Sequence, residues 1–449
     1  MSLAADSDTI AAIATPPGRG GVSIVRLSGP RALELGANVA GALPPARQAA
    51  LRTLRSATGG VLDRAMVLAF PAPGSFTGED VVEFHLHGSP VVAALLLREL
   101  AALGAREAGP GEFTRRAYMN GRLDLAQAEA VADLIESASA EAARAAMRSL
   151  EGEFSARVNA LADGLLKLRV RLEAGLDFPE EGVDDFSDPE LLGQLDGLRS
   201  RLADLQTAAA RGRVLRDGLT LVIAGAPNAG KSSLLNRLAG YEAAIVTELP
   251  GTTRDLVRED ILVDGMPVRV VDTAGLREGA DRIEAEGIRR AREAMQAADL
   301  LLLVQDASLP AGAETAVALP AGIPLLRVLN KIDLVSQPGG DGAGQANDLV
   351  HVSALTGEGI DDLRAYLKDF AGYSGNAGGA YSARRRHLEA LASAATGLAA
   401  AHARLVAGET TELAAEDLRL AHGALGEITG ECTTEDLLGR IFSEFCIGK

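Results

Sequence analysis

Leu219-Thr-Leu-Val-Ile-Ala-Gly225-Ala-Pro-Asn-Ala-Gly230-Lys231-Ser232-Ser233-Leu-Leu-Asn-Arg-Leu238 is the stretch from which the fold can be read. Its first six residues form an apolar run that reads as a buried strand, and its last six read as a helix. Between them stands Gly-x-x-x-x-Gly-Lys-Ser, and strand before with helix after is the setting in which that phrase cradles phosphate. The glycines let the backbone curl, so that the N–H groups from Asn228, Ala229 and Gly230 through Ser233 converge at the positive end of a helix. Lys231 brings a point charge for the β/γ-phosphates, and the Ser232 hydroxyl is placed for Mg²⁺. A glycine-rich turn without a ligand is the alternative; strand, helix and Lys-Ser together disfavour it.

Four more phrases follow in the order one ligand requires. Gly251-Thr252-Thr253 comes first. Asp272-Thr273-Ala274-Gly275 ends an apolar strand at Val268–Val271, where Asp272 can hold the water shell of Mg²⁺ and the Gly275 N–H can approach a γ-phosphate. Asn330-Lys331-Ile-Asp333 ends another, Pro324–Leu329. A carboxylate at 333 can accept from both the ring N–H and the exocyclic amine of guanine, a donor pair that adenine lacks. A site built on such bonds rejects the wrong partner by up to ~10⁴–10⁵-fold. Ser353-Ala354 would add backbone contacts to the base. Singly these phrases are weak, since Asp-x-x-Gly is a common turn. In this order they predict a Ras-like P-loop fold that binds GTP.

With 449 residues the chain is long enough for two or three domains with cores of their own. No apolar run approaches the ~18–20 residues that span a bilayer, and Met1–Asp6 lacks the basic start of a secretory signal. Two cysteines, Cys432 and Cys446, exclude a disulfide framework and suit a reducing, cytoplasmic setting. The net charge of −17 argues against a basic nucleic-acid coat, yet it is unevenly spread: residues 1–122 hold 12 Lys/Arg against 10 Asp/Glu, and residues 218–372 hold 14 against 22.

Along the chain, residues 1–120 mix β-type runs (Ile10–Ala14, Val22–Leu27, Met66–Phe70, Val81–His87) with a helical stretch at Val91–Leu103. From Asp124 to Arg213 the pattern becomes helical, as in Ala126-Gln-Ala-Glu-Ala-Val-Ala-Asp-Leu-Ile135. After the nucleotide phrases, Gly372-Tyr-Ser-Gly-Asn-Ala-Gly-Gly379 reads as a joint, and helical spacing returns from Arg384 to Phe445. Chain ends of a domain often lie close together, which permits insertion. The expectation is an α/β chain of three parts: an N-terminal α+β domain (1–120), a helical domain split into 121–216 and 380–449, and an inserted G domain (217–372).

Several phrases go beyond any generic nucleotide site. They are Ala14-Thr-Pro-Pro-Gly-Arg-Gly-Gly21, Ser75-Phe-Thr-Gly-Glu-Asp80, Pro110-Gly-Glu-Phe113, Leu123-Asp-Leu-Ala-Gln-Ala-Glu-Ala130, Asp272-Thr-Ala-Gly-Leu-Arg-Glu278 and Leu438-Gly-Arg-Ile-Phe-Ser-Glu-Phe-Cys-Ile-Gly-Lys449. The chain resembles, over essentially its whole length, the tRNA-modification GTPase family MnmE, also called TrmE.

That resemblance implies a GTP hydrolase acting with a flavin-dependent partner, MnmG (GidA), in a heterotetramer. Together they would add a carboxymethylaminomethyl-type group at C5 of the wobble uridine of certain tRNAs. It implies a tetrahydrofolate derivative (5-formyl- or 5,10-methylene-tetrahydrofolate) as one-carbon source, bound by an N-terminal domain that also forms the homodimer. The folate contacts carried over are Arg26, Glu83, Arg122 and Lys449; position 122 is Arg where the resemblance leads one to expect Lys, exchanging a point charge for a planar fork. Basic side chains suit the glutamate tail of a folate, and a carboxylate suits the donor edge of its pterin. Spacing alone reads Arg26 and Glu83 as ordinary strand residues.

For hydrolysis, Ras-like proteins orient water with a Gln near Asp-x-x-Gly. Leu276 stands after Gly275 here, and the resemblance points instead to Glu284. By sequence alone Glu284 reads as a helix surface residue. The resemblance also implies K⁺, held by Asn228 with oxygens from Thr247, Leu249 and Thr252, and Mg²⁺ held by Ser232 and Thr253. Ordering of Glu248–Arg254, through Leu249, Pro250 and Gly251, would be the switch coupled to contact between two G domains. Cys446 has two readings, a thiol in the modification chemistry or a small hydrophobe. His85-x-His87 could suggest a metal but lacks further ligands. Arg384–Arg386 reads as a solvated face, an ion pair or a phosphate contact. The alternative function is a regulatory or ribosome-assembly GTPase without folate chemistry.

Overall fold

The computed structural model describes residues 8–177, 189–239, 258–272, 298–309, 323–335, 348–371, 373, 379–408, 411–431, 434–443 and 445–448. The chain divides into two compact units, Met1–Ile135 with Ser149–Leu202 and Ala390–Lys449, and Glu136–Arg148 with Ala203–Glu389.

In the first unit six strands form one sheet: β1 (Ile10–Ile13), β2 (Val22–Ser28), β3 (Ala50–Arg55), β4 (Val61–Phe70), β5 (Val81–His87) and β6 (Arg106–Glu107). Their order is β3-β4-β5-β2-β1-β6, antiparallel except for β1 beside β6. Side chains alternate across the sheet. One face buries Val25, Leu27, Leu54, Val67, Val82, Phe84 and Leu86 together with Leu35 of α1 (Ala32–Ala40) and Leu96 and Leu100 of α2 (Pro90–Ala102). The alternation turns Arg26, Glu83 and His85 to the other face. The predicted strand Met66–Phe70 is only the second half of β4. Its first half carries Asp63 and Arg64, which hide the period, and Asp63 is held by the His87 backbone N–H (2.9 Å) and Nδ1 (2.7 Å).

After α3 (Glu112–Met119) and α4 (Leu125–Glu136) the chain becomes helical, with α5 (Ala140–Leu150), α6 (Glu153–Asp177) and α7 (Pro189–Asp217). Helix α6 buries Phe154, Val158, Leu161, Leu165, Leu168 and Leu172, an alternating four-three spacing that keeps one stripe inward.

In the second unit the strands are β7 (Leu219–Ala224), β8 (Arg258–Val263), β9 (Met266–Asp272), β10 (Leu300–Asp306), β11 (Leu325–Asn330) and β12 (Leu349–His351). The order is β12-β11-β10-β7-β9-β8, parallel except for the β8–β9 hairpin. Helices α8 (Lys231–Ala239) and α9 (Ile360–Phe370) contribute Leu234, Leu238, Leu363 and Leu367 to its core. Strand β7 follows Gly218 and has β9 on one side and β10 on the other, so the chain order reverses around it. In open α/β sheets ligands bind at the carboxyl ends of strands where the order reverses.

Three helices close the chain: α10 (Arg385–Ala407), α11 (Thr411–Thr429) and α12 (Glu435–Ser443). Leu418, Ala421, Leu425 and Ile428 of α11 are buried, and α11 packs along α6 within the first unit. Helix α12 places Leu438, Ile441 and Phe442 against Leu125 and Ala128. Against the expectation that no apolar run approaches a membrane span, α10 alone among the described residues is long and apolar enough to cross one; its Leu391, Ala394, Leu398, Ala401 and Leu405 are buried at helical spacing.

Candidate nucleotide site

The loop after β7 opens at Gly225, where an added Cβ would fall 2.2 Å from the Val304 carbonyl, and closes at Gly230, where it would fall 2.2 Å from Asn330 Nδ2. Asn228 (φ 62°) and Gly230 (φ 91°) are left-handed, which turns the backbone inside out before α8 begins at Lys231. Lys231 is 8% exposed. Its Nζ donates to the carbonyls of Gly225 (3.0 Å) and Ala226 (2.9 Å), spanning the curl. Ser232 and Ser233 are exposed at the first turn of α8.

The second half of the site rests on Asn330, 2% exposed at the tip of β11. Its Nδ2 donates to Ala229 O (2.8 Å), and its Oδ1 accepts the Ala354 N–H (3.0 Å). One side chain thus straps the phosphate loop to the Ser353-Ala354 loop. Asp333 is exposed, with Oδ1 accepting the Ser353 hydroxyl at 2.5 Å. Ser353 Oγ also accepts the Thr356 N–H (3.0 Å), so this oxygen has a fixed direction. Lys331 has φ 67°, a left-handed conformation that costs a non-glycine residue about 1–3 kcal/mol and persists when its surroundings hold it. Its Nζ meets Asp306 Oδ2 at 2.6 Å.

Asp306, at the tip of β10 directly beside Asn330, was not anticipated from sequence. Its Oδ1 accepts the Ser308 N–H (3.0 Å) and hydroxyl (2.6 Å). Burial pushes its carboxyl up, but Lys331 and the Ser308 donors outweigh that and leave it below the usual carboxylate range. The sign is therefore one of stability held above the ordinary carboxylate pKa and lost as pH falls through the lowered one. The available signal was an Asp ending the apolar run Leu300–Val304.

Asp272 lies at the end of β9, its backbone in register with Ile223 of β7. Thr247, Glu248, Leu249, Pro250, Gly251, Thr252, Thr253, Thr273, Ala274, Gly275, Glu284, Cys432 and Lys449 lie outside the described residues.

In the first unit, Arg26 Nε donates to Glu83 Oε1 at 2.9 Å across the β2–β5 pair. The other Glu83 oxygen meets His85 Nε2 at 3.2 Å. The Arg26 guanidinium also lies over the rings of Phe76 (5.8 Å) and Phe113 (5.6 Å), contacts that hold a planar cation in one orientation. Phe113 is anchored by its helix: buried Arg116 bonds Asp8, Glu79 and Glu112, and Arg106 bonds Asp8 and Glu112. Burial raises the Glu112 carboxyl, but Arg106, the Gly109 N–H and Arg116 together bring it below its ordinary value. Arg122 is exposed beside Gly78, in the loop that carries Phe76. The terminal segment reaches the same unit: Ile447 bridges Pro110, the Cys446 carbonyl accepts the Gly111 N–H (3.3 Å), and Gly448 stands against the Ile13 carbonyl. Cys446 is an exposed free thiol.

His85 and His87 each face a carboxylate, and the described residues contain no group of three or more His, Cys, Asp or Glu arranged for a metal. Arg384 is buried, and Arg385 pairs with Glu389 one turn on at 2.8 Å.

Residues 125–446 match the family described as MnmE helical domain, and residues 9–122 match GTP-binding protein TrmE N-terminus. The chain is 55% identical over 441 residues to a tRNA modification GTPase MnmE of Alkalilimnicola ehrlichii, covering 98% of this chain and 99% of that one. It is 54% identical over 448 residues to the protein of that name from Methylococcus capsulatus, covering 99% and 100%. Among solved structures, the FeoB G-domain from Methanococcus jannaschii is 26% identical with a TM-score of 0.26, over 34% of this chain and 98% of that one.

Proposed function

The chain belongs to the tRNA modification GTPase MnmE family, and we infer that it hydrolyses GTP in the service of tRNA wobble-uridine modification. The observation that carries the nucleotide reading is the Asn330 strap, which ties the Gly225–Ser232 loop to the Ser353-Ala354 loop. The loop's left-handed turns at the start of α8 suit phosphate oxygens, and Lys231 has acceptors it can exchange for them. Asp333, with one oxygen fixed by Ser353, suits the guanine donor pair.

The finer reading extends this to the rest of the chain. Residues 1–120 bind the tetrahydrofolate derivative and form the homodimer, 121–216 with 380–449 form the helical domain, and 217–372 the G domain. Support for the folate part lies in the Arg26–Glu83 pair. A guanidinium held between two rings and a carboxylate shared with His85 present both a cation and an acceptor on one sheet face. Arg122 and Lys449 add charge for the glutamate tail. The flavin partner MnmG completes the carbon chemistry in a heterotetramer, with tRNA as substrate, in the cytoplasm.

In the G domain, Ser232 and Thr253 hold Mg²⁺. Asn228, exposed and left-handed, joins oxygens of Thr247, Leu249 and Thr252 around K⁺, which supplies positive charge to the leaving phosphates. Glu284 orients the attacking water. Hydrolysis by the full chain is then faster in KCl than in NaCl at equal ionic strength; equal rates remove the cation from the scheme.

The test of the whole is nucleoside mass spectrometry of tRNA from cells lacking this protein. The modified wobble uridine disappears, and the wild-type chain restores it while Lys231→Ala does not. Normal tRNA with a ribosome-assembly defect would support the regulatory GTPase instead.

A further inference from the structure

The Asp306–Lys331 ion pair adjoins Asn330 at the tips of β10 and β11, and Asp306 belongs to none of the phrases assigned to the nucleotide. Lys331 is the residue from which the short turn Ile332–Leu334 departs, and that turn carries Asp333. Its left-handed backbone is held locally by the Leu334 N–H to Lys331 O bond (3.1 Å) and by Ile332 N–H to Val352 O (3.4 Å), both at the long end of the range. The short contact is the one its side chain makes, 2.6 Å to Asp306.

Asp306 is itself over-determined. It sits opposite Asn330 in the β10–β11 register, the Ala307 N–H donates to Asn330 O (2.8 Å), and two Ser308 donors fix the carboxylate oxygen that Lys331 leaves free. Its side chain is 12% exposed, so solvent screens the pair only partly.

We propose that Asp306 is a positioning residue for guanine recognition: by anchoring Lys331 it holds the left-handed turn that aims Asp333 at the base. This rests on the guanine-nucleotide reading of the site. Asp306 touches neither phosphate nor base, so its loss affects how firmly and how selectively the purine is held, while the phosphate chemistry at Lys231 proceeds.

The experiment is stopped-flow release of a fluorescent GDP from the full-length chain, with GTP kinetics in parallel. Asp306→Asn keeps an acceptor for Ser308 and loses the charge, and charge-assisted bonds are the stronger class. GDP release quickens about tenfold, KM for GTP rises by a similar factor, kcat stays within about twofold, and discrimination against ATP weakens. Lys331→Met quickens release at least as much, and adding Asp306→Asn to it changes release no further. Should Asp306→Asn not fold, Asp306→Glu is read instead: its longer arm displaces Lys331 while keeping the charge, and release quickens to a smaller extent. Wild-type release with unchanged selectivity in the variants, or additive effects in the double variant, overturns the proposal. Failure of the wild-type chain to hold GDP overturns the nucleotide reading itself.

Discussion

Replacing Lys231 with alanine lowers GTP turnover by about 10²–10³-fold, the scale on which loss of one preorganised charge-stabilising donor is felt. The Lys231 amine bridges two carbonyls of its own loop, Gly225 and Ala226. Those are neutral acceptors, and phosphate oxygens carry charge, so exchange favours the ligand. Alanine removes both the bridge and the counter-charge where negative charge builds on the transferring phosphoryl. Arginine does not rescue, because its planar fork replaces a compact point charge. The measurement is single-turnover hydrolysis at saturating GTP, with circular dichroism to establish that the fold persists. Turnover within about threefold of wild type would remove Lys231 from the chemistry.

A second large effect falls on Asp333. Its Oδ1 accepts from Ser353, leaving the other oxygen for a ligand, and both oxygens of a carboxylate can accept. Asparagine presents an N–H₂ in place of one acceptor, directly against the donor edge of guanine. Two charge-assisted bonds at about 1.5–3 kcal/mol each are at stake, so GTP affinity falls by about 10²–10⁴-fold. Xanthosine triphosphate carries a carbonyl where guanine carries its amine, and the same substitution favours it. Equilibrium titration of wild type and Asp333→Asn with both nucleotides reads the exchange. Undiminished GTP binding by Asp333→Asn would mean that the base is read elsewhere.

The settings of these two residues were legible in the chain because they are local. A phosphate loop is written in consecutive residues, from Gly225 to Ser232, and its flanking strand and helix are long and apolar enough to declare themselves. Strand Val81–His87 was found to the residue because its alternation runs unbroken from Val82 to His87. Strand β10 was not found, because Leu300-Leu-Leu-Leu-Val has no period and, unlike β7, β9 and β11, no nucleotide phrase follows it to mark the run as strand rather than helix. The first half of β4 escaped because Asp63 and Arg64 interrupt its pattern, and the partner that holds Asp63 is His87, on the neighbouring strand.

What the linear chain determined unaided was the strand, loop and helix of the Gly225–Ser232 phrase, the strand that ends at Asn330, and the family to which its motifs belong. Each consists of residues adjacent in sequence, so short-range stereochemistry and hydrogen-bonding capacity suffice to read them. Only the tertiary structure decided that Asn330 straps Ala229 to Ala354, that Asp306 anchors Lys331, and that Arg26 lies between Phe76 and Phe113 against Glu83. Those pairs are brought together by strand order and register. Such long-range closure depends on how the whole sheet assembles, and no window of neighbouring residues contains it.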